Sequence, residues 1–202
     1  MPIDRVTPRA ARGIFVLWLA VVGAGMGALW KYAQTPGPAA KAPDLWPKSS
    51  RIARDTRQPT LMLFAHPRCA CSRATIGELA ILMAHVQQRV AVHVLFYRPP
   101  RIDEGWTQTN LWRSAAAIPG VAVDADEDGA EATLFGSTVS GQALLYGADG
   151  RLRFSGGMTS ARGHSGDNDG RSALTALLMD GGSAQAVGTP VFGCSLRDLS
   201  AP

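Results

Sequence analysis

Leu61-Met-Leu-Phe-Ala-His66-Pro-Arg-Cys69-Ala-Cys71-Ser72 is an apolar run that leads directly into two of the chain's three cysteines. The run has the length and composition of a buried strand, and the residues after Ser72 have helical periodicity. A strand-to-helix junction leaves the first helical amides unpaired and pointing outward, so a sulfur there faces backbone donors and the positive end of the helix dipole. Those surroundings lower a thiol pKa, and Arg68 is expected to add a fixed positive charge beside Cys69. Because the thiolate is the form that attacks disulfides and binds metals, the stretch predicts a redox or metal site.

Outward from this stretch, Ser72 to Arg89 places Ile76, Leu79, Ala80, Met83 and Val86 on one stripe, the pattern of a core-facing helix. Val90 to Tyr97 reads as a second buried strand, ended by Pro99-Pro100, and a strand-helix-strand unit of this kind implies a parallel pair. Thr107 or Thr109 caps a short helix through Ala117, Val121 to Val123 is an edge strand, and Ala130 to Phe135 is a short helix. Gln142 to Tyr146 and Leu152 to Ser155, joined by Gly147-Ala-Asp-Gly150, form a hairpin. A last helix starts at Asn168 or Gly170 and runs to Met179 with Ala173, Leu174, Leu177 and Leu178 inward.

The order strand, cysteine pair, helix, strand, helix, hairpin, helix resembles the thioredoxin superfamily. More narrowly, His66-Pro-Arg-Cys-Ala-Cys-Ser, Ser155-Gly-Gly-Met-Thr and Arg162-Gly-His164-Ser-Gly-Asp-Asn168 resemble small membrane-anchored thioredoxin-like proteins labelled RedB, over roughly residues 55 to 180. The resemblance implies an α/β domain, a mixed sheet flanked by helices, with the cysteines as redox residues. The pair is Cys-x-Cys where ordinary thioredoxins have Cys-x-x-Cys. Aligned without gaps from the strand end, Cys71 takes the resolving position and Arg68 the nucleophile's, which leaves the attacking sulfur open between Cys69 and Cys71. The family's cis-proline guides substrate backbone and keeps metals off the thiols. Its place falls within Thr138-Val-Ser-Gly141, which has no proline, so an ordinary trans turn is expected and metal binding stays open.

At 202 residues and 46% apolar content the chain has room for one packed domain with appendages. Most of the overall charge of +4 comes from the first 31 residues, since beyond residue 31 there are 16 Lys and Arg against 15 Asp and Glu. No basic stripe remains to recruit nucleic acid. Three cysteines fit neither a paired scaffold nor a four-cysteine zinc site, so at least one sulfur is free, mixed-bonded or a ligand.

Arg5, Arg9 and Arg12 precede an uncharged run from Gly13 to Trp30, closed by Lys31. Its 18 residues just reach the length that crosses the hydrocarbon layer, and Trp30 suits an interface. The arginines predict a cytoplasmic N-terminus and a domain on the periplasmic side of the inner membrane. The division is therefore 1–12 cytoplasmic, 13–30 a single transmembrane anchor, 31–50 a linker, 51–182 the thioredoxin-like domain and 183–202 a tail. Residues 32 to 48, with Pro36, Pro38, Pro43 and Pro47, read as an extended spacer, although Leu45 and Trp46 are suited to begin the domain as an extra edge strand.

Further candidates surround the cysteines. His66 is placed as a ligand or proton shuttle or simply as the strand end, and Pro67 turns the chain. Arg162 and His164 lie in the long Gly-rich stretch 156–170, either a lid near the cysteines or a solvated loop that caps the last helix. Cys194 is either a third sulfur or inert, and His85 and His93 read as structural. Asp124-Ala-Asp126-Glu-Asp128-Gly129 opens like a calcium loop, but its twelfth position is Phe135, so it is read as an acidic surface turn. Two functions remain: a membrane-tethered thiol–disulfide oxidoreductase acting on protein thiols or disulfides without a cofactor, or a copper(I) chaperone or sensor using Cys69, Cys71, Cys194 and His66.

Overall fold

The computed structural model describes residues 7–38, 40–86, 88–180 and 186–197. The chain divides into two units, Met1–Thr35 and Pro36–Pro202. The first is a single helix, α1 (Pro8–Ala33). Its 26 residues are long and apolar enough to cross a membrane. The Thr7 hydroxyl accepts from the Ala10 N–H at its start, Pro8 occupies the first turn, and Lys31 complements the dipole at its end. The helix thus extends beyond the uncharged run at both ends, to Ala33 where a spacer was expected.

The second unit is built on a six-stranded mixed sheet ordered β3-β2-β1-β4-β5-β6. β1 (Thr60–Ala65) is central and buried along its whole length, which is why it reads as an unbroken apolar run. β2 (Ala91–Arg98) and then β3 (Val121–Glu127) join it in parallel on one side. On the other side β4 (Gln142–Tyr146) is antiparallel to β1, and β5 (Leu152–Gly157) is antiparallel to β4. The crossover helix α2 (Ser72–Val86) connects β1 to β2. A 3-10 turn, Glu104–Trp106, and α3 (Asn110–Ala116) lead to β3, and α4 (Ala130–Leu134) follows it. α5 (Asp169–Met179) follows β5, and β6 (Val187–Gly188) returns parallel to it.

Alternation along β1 distributes its side chains between two cores. Leu61, Leu63 and Ala65 point to the larger one, with Leu79, Leu82, Phe96, Leu111 and Leu174 from β2 and helices α2, α3 and α5. Met62 and Phe64 point to the other, with Leu95, Phe135, Leu144 and Tyr146.

The described residues between 36 and 50, expected as an extended spacer, pack on the domain. The Leu152 N–H donates to Asp44, the Trp46 N–H to Gly150 and the Tyr146 hydroxyl to Pro43. Leu45 pairs antiparallel with Arg151, which is the extra edge contact expected of Leu45 and Trp46. Trp46 stands edge-on to Phe135 and Tyr146, at 4.9 and 5.3 Å between ring centres. Prolines kept this segment from being helical, as expected, but its apolar side chains found a sheet face to cover.

The acidic run is likewise more than a surface turn. β3 continues through Glu127, and Asp126 is buried, its carboxylate accepting from the Glu131 and Ala132 N–H groups at the start of α4. Burial pushes the Asp126 carboxyl up, against these hydrogen bonds. The described part of the tail is also built into the domain, with Val191 and Leu196 buried.

Candidate functional site: three sulfurs at the start of α2

β1 delivers the chain to the site by ending at Ala65, after which Pro67 starts a turn. The Cys69 N–H donates to the His66 carbonyl, and the Cys69 carbonyl accepts from the Ser72 N–H as α2 begins. Cys69 and Cys71 therefore stand immediately before the first helical turn, as the sequence predicts. Cys194, from the tail, joins them: its sulfur is 3.3 Å from that of Cys69, and all three sulfurs lie within 4.8 Å of one another. The 3.3 Å separation is a non-bonded one, since a disulfide spans about 2.05 Å.

The three thiols differ. Burial works against ionisation of Cys69, but hydrogen bonds from Cys194 and Ser72 outweigh it and hold its pKa below the ordinary value. Burial raises Cys71, and the neighbouring Cys69 charge adds to this, with Arg162 opposing. Burial, the hydrogen bond to Cys69 and the Cys69 charge push Cys194 up to about 12. The cluster thus favours one negative charge, placed on Cys69.

Cys69 is the more enclosed residue of the pair, 2% exposed against a half-buried Cys71. One expectation about these groups is corrected. Arg68 does not supply the stabilising charge: its guanidinium lies over the Trp106 ring, 4.9 Å from the centre, and the sulfur donors do that work.

His66 is not brought to the sulfurs. Its ring stacks on Tyr97 and meets Trp106 edge-on, its Nδ1 accepts from the Arg68 N–H, and its Nε2 has no hydrogen-bond partner among the described residues. Burial, with Arg68 nearby, depresses its pKa to about 4, so it is neutral at ordinary pH. Pro67 turns the chain as expected, and its carbonyl accepts from the Thr109 hydroxyl, which ties the turn to α3. A cleft of about 340 Å³ opens beside Cys69, between the turn and α3, lined by Arg68, Arg73, Thr109 and Asn110 among others.

Of the two readings of the Gly-rich stretch, the structure shows the one that caps the last helix. The Asn168 side chain accepts from the Arg171 N–H and caps α5. Arg162 donates to the Gly193 carbonyl, beside Cys194. His164 is exposed, and its backbone N–H donates to Ala161.

Sequence reasoning missed Ser140, Ser72 and Glu78. The Ser140 hydroxyl accepts from the His66 N–H and lies 2.7 Å from the Ser72 hydroxyl, so it ties the end of β1 to the start of α2. It sits in the segment 138–141 before β4, where no cis peptide occurs. Glu78, fully buried on α2, pairs with Arg171 and accepts from the Gly166 N–H and the Asn168 amide, which anchors the Gly-rich loop. A lone carboxylate inside the apolar stripe of a helix was the available signal.

No protein-family model matches the sequence, and no curated protein matches it. Solved structures do match by shape. A hypothetical protein from Sinorhizobium meliloti covers 81% of this chain and 94% of its own, at 19% identity and TM-score 0.54. An uncharacterized conserved protein from Geobacillus kaustophilus covers 84% and 95%, at 15% identity and TM-score 0.57. Three parallel strands joined by α2 and α3, an antiparallel hairpin on the far side of β1, and cysteines where β1 meets α2 decide the architecture. The fold is thioredoxin-like. A secreted disulfide oxidoreductase of Mycobacterium tuberculosis, homologous to E. coli DsbE, overlays 62% of this chain and 83% of its own at 16% identity, with a TM-score of 0.44. At such identities the first two likenesses are ones of fold, and the domain's chemistry rests on its own sulfurs.

Proposed function

We propose that the chain is a membrane-tethered thiol–disulfide oxidoreductase in which Cys69 is the attacking sulfur. The observation that carries this is the cluster of three sulfurs at the start of α2, in which one thiol alone is held below its ordinary pKa. The Cys69 thiolate attacks a disulfide of a protein partner, forms a mixed disulfide and releases one partner thiolate. A second thiol of the cluster then gives up its proton, attacks the Cys69 sulfur and releases the other partner thiol. The partner is reduced by two electrons and the chain's dithiol is oxidised to a disulfide; run in reverse with a partner dithiol, the same steps oxidise it. α1 supplies the tether, and the arginines before its uncharged run favour a domain on the extracytoplasmic side, where disulfides persist.

Alkylation rate against pH, measured on the reduced full chain in detergent, tests this. Cys71→Ser retains a thiol that titrates below the free value of about 8.5 and Cys69→Ser loses it. Absence of any such thiol in the wild-type chain defeats the reading.

A second reading is favoured by the sulfur geometry itself. Three thiolates within 4.8 Å suit a soft cation of low coordination number, and copper(I) is the cation such ligands select. The ligands are then Cys69, Cys71 and Cys194, without His66. Anaerobic titration of reduced protein with copper(I) detects about one ion per chain, lost in Cys194→Ser. No uptake under those conditions removes the copper reading.

A further inference from the structure

Cys194 does not reach Cys69 on a loose end. The Ser140 N–H donates to the Cys194 carbonyl at 2.8 Å and the Leu196 N–H donates to the Thr138 carbonyl at 2.9 Å, so Val139 and Ser195 form an antiparallel bridge. Upstream, β6 pairs with β5, and the Thr189 hydroxyl donates to Gly157. Val191 and Leu196 are buried on either side of the cysteine. Ser140, which holds the Cys194 backbone, is the same residue that ties the end of β1 to the start of α2.

We propose that Cys194 is the resolving residue, and that the oxidised resting form of the site carries a Cys69–Cys194 disulfide. This rests on the reading of Cys69 as the attacking sulfur. In the dithiol form the sulfurs need to approach by about 1.3 Å to bond, along a segment that the ladder already aligns. Cys71 shares the turn with Cys69, and closing a Cys-x-Cys ring there strains the bond. Cys71 is the third thiol, the one left over.

The order of events follows from the geometry, since Cys194 is the sulfur already placed 3.3 Å from Cys69. Once Cys69 is bonded to a partner sulfur, Cys194 loses its proton to solvent and attacks the Cys69 sulfur. The Cys69–partner bond breaks, the partner leaves as a thiolate, and the Cys69–Cys194 bond forms. A dithiol reductant, of protein or small-molecule kind, returns the site to its starting state. The tail occupies the ladder positions of Thr138 and Ser140, so the partner disulfide comes to Cys69 from the cleft beside Arg68 and Thr109.

Reduced full chain in detergent, mixed with excess dithiobis(nitrobenzoate), tests the assignment. Cys71→Ser releases a first and then a second equivalent of the coloured thiolate, and peptide mapping without reductant recovers Cys69 joined to Cys194. Cys194→Ser stalls after the first release, with the second slowed about tenfold or more and the aromatic thiol still bonded to Cys69. Matching thermal midpoints show that each variant is folded. A Cys194→Ser chain that completes both releases at the wild-type rate, with Cys69 mapped to Cys71, overturns the proposal and leaves Cys69 exchange standing. A Cys69 that reacts no faster than a free cysteine in every variant overturns both.

Discussion

A side chain at Gly193 would place its Cβ 1.8 Å from the carbonyl oxygen of Ser140. The tail thus lies against the 138–141 segment at a distance only glycine permits. Replacing Gly193 by Ala forces the two backbones apart, and overpacking of this kind costs about 1–3 kcal/mol. A thermal melt of the variant falls by several degrees, and oxidation of Cys69 with Cys194 slows. An unchanged melt with unchanged oxidation refutes the close packing.

Cys194 lowers the Cys69 pKa by donating a hydrogen bond to it. Removing that donor in Cys194→Ala leaves burial, which raises the pKa, opposed mainly by Ser72. The midpoint of the alkylation-pH curve of Cys69, read in a Cys71→Ser background, therefore moves to higher pH. A midpoint that stays or falls shows that Cys194 does not stabilise the thiolate.

Glu78 holds the Gly-rich loop from beneath, through Gly166, Asn168 and Arg171. Glu78→Ala strips the counter-charge from a largely buried arginine, a change that costs about 3–5 kcal/mol for a buried pair. Hydrogen exchange at the Gly166 amide accelerates along with the loss of stability. Wild-type protection at Gly166 contradicts the anchoring role.

The His66 pKa is depressed to about 4 in the fold from an ordinary 6.5. Between these values the unfolded chain binds more protons, so stability rises with pH in this window and is lost as pH falls through it. His66→Phe keeps an aromatic ring on Tyr97 and flattens the pH dependence between about 6.5 and 4. An identical acid profile in the variant shows that His66 is not the group responsible.

Topology has its own check. A periplasm-dependent reporter fused after Pro202 is active and a cytoplasm-dependent one silent, because the arginines precede the apolar run. The opposite pattern overturns the extracytoplasmic assignment.

Local pattern was enough to read most of the elements between Thr60 and Met179, though not β6 or the full length of β3. The continuous apolar run of β1, the stripe of α2 and the Gly147–Gly150 turn each specify one structure, and the cysteines follow from where β1 stops. What the pattern concealed were pairings between distant segments. Pro-rich residues 36–50 and the tail both look like unattached chain, and only the folded sheet offers Tyr146, Phe135 and Ser140 as partners. Glu78 and Ser140 were hidden because a buried polar residue announces its role through its neighbours. Which of Cys69 and Cys71 is the more acidic was not legible: one donor is the Cys194 sulfur from across the fold and the other is Ser72 in the next turn, while the adjacent Arg68 turns to Trp106.

Cys69 and Cys194 are separated by 125 positions, and this separation gives the site a birth order. During synthesis the Cys69 and Cys71 thiols emerge long before Cys194, and long-range contacts of this kind form late in folding. Until the strand pairings from β1 to β6 are complete, the early thiols have no aligned third sulfur and their chemistry is that of any exposed pair. Completion of the cluster therefore reports that the whole domain has folded, and a chain cut short before the tail carries thiols without a finished site.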